Sequence, residues 1–178
     1  MRRGVIAAVS LAAAAGAPVS AEPGGAILGH TGGFGGETCA ACHFAGEDVD
    51  DLDAAFEGAP GPYIPGERYE FFLTLADSSA DVAGFQLSIR FEDGSQAGSL
   101  EALGDGAMVK TEESVQYATH TEPREVDENG RYRFKLLWNA PELGSRPVIL
   151  NAAAVTAVKD MSPVGDNTHD IEVLIVPD

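Results

Sequence analysis

The chain is predicted to be an all-β sandwich preceded by an irregular, glycine-rich segment. Three observations predict this. Short runs with apolar residues at alternate positions recur from Tyr69 onward, turn residues separate them, and no stretch combines a 3.6-residue apolar period with helix caps.

Residues 1–21 set the compartment. Arg2 and Arg3 form a basic start, Val5 to Ala15 is an apolar run too short to span a bilayer, and Val19-Ser20-Ala21 supplies the small residues a signal peptidase reads. Cleavage is expected after Ala21, giving a periplasmic or secreted protein with no membrane span. Residues 22–58 form the glycine-rich segment. Gly29, Gly32, Gly33, Gly35 and Gly36 crowd its first half, and little in it asks to be buried beyond Ile27, Leu28 and Phe34. Asp48 to Glu57 is acidic, with Val49, Leu52 and Phe56 interspersed, which suits a short strand or one poor helical turn.

Residues 59–178 carry the strands of the expected sandwich, a single unit with the segment before it. Tyr69 to Leu75 is the first clear strand. Phe85, Leu87, Ile89 and Phe91 alternate with Gln86, Ser88 and Arg90, the pattern of a half-buried strand. Ser114 to Thr121 and Arg131 to Trp138 follow, separated by a stretch ending in the turn pair Asn129-Gly130. Pro147 to Lys159, with Val155, Thr156 and Val158, and Ile171 to Val176 complete six or seven strands.

Chemistry concentrates at Cys39-Ala40-Ala41-Cys42-His43. Two thiols three residues apart each add to one vinyl group of a haem, and the adjacent histidine lies beneath the iron. Cys39 and Cys42 are therefore the expected thioether positions of one covalent haem c, with His43 the proximal ligand. A Cys39–Cys42 disulfide would close a very small loop and add little stability. A structural zinc ion usually takes four protein ligands, which two cysteines supply poorly. The acidic run Glu47 to Asp53 lacks the spacing of a calcium loop and is read as a solvated face. No serine or cysteine nucleophile stands in a legible catalytic triad, so an electron carrier is expected before a catalyst.

For the distal face of the haem the candidates are His30, His120, Met161 and His169. His120, at the end of a predicted strand, is the expected sixth ligand, and His30, in the glycine loop, is the alternative. Met161 and His169 flank Pro163 and Gly165 in an expected loop. The formal charge of −17 argues against nucleic acid, whose phosphates call for Lys and Arg, and suits a redox partner with a basic docking face.

Several segments together resemble the Reeler-type domain. They are Tyr63-Ile64-Pro65-Gly66-Glu67-Arg68-Tyr69, Gly84-Phe85-Gln86-Leu87, Thr119-His120-Thr121 and Trp138-Asn139-Ala140-Pro141, preceded by Gly29-His30-Thr31-Gly32 and Gly36-Glu37-Thr38 before the cysteines. In bacterial chains of this type the second position of the glycine motif holds His or Arg. The resemblance spans residues 29 to 160 and implies an immunoglobulin-like sandwich with a haem-bearing front segment. It also implies a structural use for His120, since eukaryotic Reeler-type domains keep a histidine there without the cysteine motif. The expected function is that of a small monohaem cytochrome. The alternatives are an extracellular interaction or structural module organised by haem, and a five-coordinate haem sensor.

Overall fold

Alternation along the two central strands builds the core. The computed structural model describes residues 24–46, 53–142 and 146–178. The expected leader, and the acidic run apart from Asp53, lie outside the described residues. Among those described, the strands are β1 (Phe44–Ala45), β2 (Asp53–Glu57), β3 (Arg68–Ala76), β4 (Val82–Phe91), β5 (Ser99–Ala102) and β6 (Ala107–Glu112). They continue with β7 (Val115–His120), β8 (Arg124–Glu125), β9 (Tyr132–Asn139), β10 (Val148–Ala157) and β11 (Val164–Ile175).

The strands form two sheets. The first runs β1-β11-β10-β4-β7-β6, with β8 also on β4, and the second runs β2-β3-β9-β5. Only β1 pairs in parallel among these ladders. Between the sheets lie Phe71, Leu73 and Leu75 of β3, Phe85, Leu87 and Ile89 of β4, Phe134, Leu136 and Trp138 of β9, and Leu150 of β10. Trp138 donates its indole N–H to the Ala97 carbonyl at 2.8 Å and packs edge-on to Tyr63, so its polar atom is satisfied inside the core. This is the expected all-β sandwich.

Two expectations change. The last strand begins at Val164, well before Ile171. Residues 164–170 are polar on both faces (Asp166 on one, Asn167 and His169 on the other), so no apolar period marks them. The second change matters most for function. Gln86, Ser88 and Arg90 do not face solvent: they are 0%, 0% and 8% exposed. The glycine-rich segment lies over them.

That covering is polar in character. Gln86 clamps the segment twice, accepting from the His30 amide and donating to the Ile27 carbonyl, both at 2.9 Å. Thr31 meets Ser88 at 3.4 Å, Arg90 reaches Thr31 and the Gly33 carbonyl, and its guanidinium sits 4.1 Å over the Phe34 ring. Nearer the other end, the Ala26 amide donates to Thr119 Oγ1 at 3.1 Å.

Candidate functional site

The segment covers only part of the first sheet's outer face. Beyond Gln86 that face carries Val82 and Gly84 of β4 opposite Ala157 and Val155 of β10, mostly small side chains in register. They floor an apolar cavity of about 520 Å³. Ligand cavities for cofactors usually fall between about 300 and 1,000 Å³.

The cysteine motif forms one wall. Thr38 Oγ1 accepts the Ala40 amide at 3.2 Å and starts a single tight turn over Cys39–Ala41. The Cys39 carbonyl then accepts both the Cys42 amide at 3.2 Å and the His43 amide at 2.9 Å. One turn of backbone thus carries both thiols and the imidazole to the cavity, where all three are lining residues. Neither cysteine is in a disulfide. Burial pushes the Cys39 thiol up to about 12, with Asp170 and Cys42 adding to it. A redox-active cysteine has the opposite character, a depressed pKa.

Directly after the turn, β1 pairs with the start of β11, Ala45 opposite Asp166. The two backbones approach so closely at Gly46 that a Cβ there would lie 2.0 Å from Asn167 Oδ1 and 2.6 Å from the Asp166 carbonyl. Glycine is required by space. The pairing sets His43 Nδ1 2.5 Å from Asp166 Oδ2. Asp166 is 3% exposed, and its Oδ1 has no hydrogen-bond partner among the described residues. With Nδ1 bound to a carboxylate, Nε2 is the nitrogen left to coordinate.

His30, His120 and Met161 line the same cavity. The expected distal candidates are therefore gathered around one space, except His169. That residue is on β11 opposite Ala154, whose side chain is in the core, and its Nε2 lies 3.0 Å from Thr156 Oγ1. Thr156 and Asn167 both donate to the buried carboxylate of Asp77, at 2.5 and 2.9 Å. His169 belongs to this structural network, and burial lowers its pKa, with Asp77 and Asp53 opposing.

His120 has a structural bond as well. Its ring lies on Gly84, where a Cβ would come within 2.8 Å, and its Nδ1 is 3.0 Å from the Phe85 amide and 3.2 Å from the Phe85 carbonyl. These contacts belong to opposite tautomers. A bare Nδ1 accepts the amide, whereas a protonated Nδ1 donates to the carbonyl and leaves a lone pair on Nε2. His30 Nδ1 lies 3.3 Å from the Leu28 carbonyl, which only accepts, so its Nε2 holds the lone pair.

The donor set fits a haem c: two thiols, an oriented imidazole, an apolar floor and further ligands around the same cavity. Among the described residues no three His, Cys, Asp or Glu side chains gather as they would around a bare metal ion. Asp166 escaped the sequence analysis because it lies in the stretch expected to be a loop. The ion pair of Lys159 with Glu125 at the rim was missed too, since nothing in its spacing announces it.

No family model matches the chain. It is 31% identical over 112 residues to Spondin-1 of Xenopus laevis, a match of 61% of this chain and 14% of that relative's length. Among solved structures, the Reelin-N domain of F-spondin superposes with a TM-score of 0.50 at 22% identity, over 79% of this chain and 95% of that domain. The fold is of the Reeler type. A human F-spondin reeler domain is also similar, with a TM-score of 0.49 at 21% identity over 75% of this chain and 96% of its own length. In this Reeler-type sandwich the cavity lies on the outer face of the first sheet.

Proposed function

We propose that this is an exported Reeler-type module that holds one covalent haem c against the outer face of its first sheet. The observation that carries the proposal is the shared wall: Cys39, Cys42 and His43 open together onto an apolar cavity, with His43 Nδ1 held by the buried Asp166. Cys39 and Cys42 would form the thioethers and His43 Nε2 would meet the iron. When bound, such a group supplies one-electron ferric/ferrous chemistry. The chain's own part would be to exclude water with Val82, Val155 and Ala157 and to offer a second ligand from the same cavity.

For that far face we favour His30 over His120. The carbonyl partner of His30 leaves Nε2 available, and His120 Nδ1 lies nearer a backbone donor than an acceptor. Two histidine ligands would suit electron transfer, with the acidic surface steering a basic partner. A second use has its own support. The Reeler-type fold and the similarity to Spondin-1 favour an extracellular interaction or structural module, in which the bound group ties the residues 24–46 to the sandwich.

Optical and electron paramagnetic resonance spectra of the ferric protein separate these uses. Electron transfer predicts a low-spin wild type, a high-spin His30→Ala and a low-spin His120→Ala. The reverse result moves the ligand to His120, and low spin in both variants moves it to Met161. A high-spin wild type counts against electron transfer and favours an open, five-coordinate site.

A further inference from the structure

Asp166 is the feature of the site that the haem motif does not account for. Its carboxylate is almost wholly buried, one oxygen is bound by His43 at 2.5 Å, and the other has no hydrogen-bond partner among the described residues. A carboxylate so placed is costly unless positive charge lies close by. Among the described residues lining this cavity the only Lys or Arg is Lys159, which is paired with the exposed Glu125. Glu122 and Glu125 add further negative charge to the lining. The position is also firmly built. Asn167, the next residue, is anchored by its amide to Asp77, and Gly46 lets β1 close onto this point of β11.

We propose that Asp166 is the positioning residue of the iron site: it holds the His43 ring with Nε2 toward the cavity and, by drawing on the Nδ1 proton, makes His43 a strongly donating ligand that favours ferric over ferrous iron. The proposal rests on the haem reading above. Two physical effects act in the same direction. A histidine hydrogen-bonded to a carboxylate is a more basic ligand than one bonded to a carbonyl. A buried negative charge also stabilises the ferric state, which carries one positive charge more than the ferrous, in surroundings that screen poorly. Nothing in the Cys-x-x-Cys-His motif requires this partner, which lies 123 residues further along the chain.

The test is a potentiometric titration of the haem-loaded protein beside Asp166→Asn and Asp166→Glu, after covalent haem has been verified in each by its pyridine haemochrome. Asp166→Asn is expected to move the ferric-to-ferrous equilibrium at least tenfold toward ferrous, about 59 mV for a one-electron couple. Asp166→Glu, which keeps the carboxylate, should fall between the two. A loaded Asp166→Asn with the wild-type midpoint overturns the proposal and leaves the haem reading intact, whereas a wild type without covalent haem overturns the haem reading itself. A second measurement needs no variant. Histidine-labelled ¹⁵N spectra of the reduced, carbon monoxide-bound wild type should show His43 Nδ1 protonated, its proton shifted far downfield by the carboxylate. An Nδ1 proton at an ordinary imidazole position contradicts the proposal.

Discussion

The two sheets have similar patterns and opposite outer faces. On the second sheet, the residues pointing away from the core include Arg133 and Lys135, which form ion pairs with Glu57 and Glu70 while remaining partly exposed to solvent. On the first sheet the equivalent positions hold Gln86, Ser88 and Arg90, which are buried beneath the glycine-rich segment. Both faces alternate polar with apolar. What separates them is the kind of polarity. On the open face charges pair with one another, whereas on the covered face each polar group, the Arg90 guanidinium included, is matched by the segment above it, as the Gln86 amide is matched by Ile27 and His30. The cavity lies where this second layer stops, lined there by small side chains of the first sheet.

The largest effect should come from what the two faces share. Leu87 is fully buried between the sheets, and Leu87→Ala should cost about 2–5 kcal/mol, lowering the denaturant midpoint of the whole domain with the slope unchanged. Next comes the contrast itself. Gln86→Ala leaves the His30 amide and the Ile27 carbonyl without their partner, at about 1–3 kcal/mol for each group that stays buried. Limited proteolysis should then cut within residues 24–36 while the sandwich survives. Lys135→Ala on the other sheet should change stability by about 0–1 kcal/mol and leave the segment protected. Equal sensitivity of the two variants would remove the distinction drawn between the faces.

A smaller effect depends on pH. Asp77 is raised by burial but lowered further by hydrogen bonds from Asn167, Ser79 and Thr156, so its carboxyl titrates below the ordinary range. Its contribution is complete above the unfolded carboxylate value of about 4 and is lost as pH falls through its lowered one. His169 is depressed by burial, so the unfolded chain takes up its proton first, and stability declines as pH falls below about 6.5. Asparagine and glutamine replacements separate the two. His169→Gln should abolish the decline that begins near pH 6.5, and Asp77→Asn the one at lower pH, both read from thermal midpoints across pH.

Most of the core was legible in the sequence. Phe71, Leu73, Phe85, Leu87, Ile89, Phe134, Leu136 and Trp138 announce their strands by alternation, and each occupies the place that alternation assigns. Edge strands were harder. β6 carries few apolar residues because little of it is buried, so Ala107 to Glu112 gives no period to find. In the site, the spacing of Cys39, Cys42 and His43 stands out locally because the turn that unites them is local. His30 and His120 were visible as residue types, and their tautomers were not, since these depend on the Leu28 and Phe85 backbones. Asp166 was invisible because its partner, His43, lies just before β1, 123 residues earlier in the chain. The buried face of Gln86, Ser88 and Arg90 had no clear signal, since Arg90 is charged like the Arg and Lys of the other sheet and yet is buried.

The central claim is that the wall formed by Cys39, Cys42 and His43 holds a covalent haem. Intact-mass spectrometry of the denatured protein, made in a host with a working cytochrome c maturation system, tests it most directly. The account predicts one haem per chain that survives acid-acetone extraction and is lost when Cys39 and Cys42 are both changed to Ser. A bare polypeptide mass for the wild type, from a host that matures another c-type cytochrome in the same culture, would contradict it.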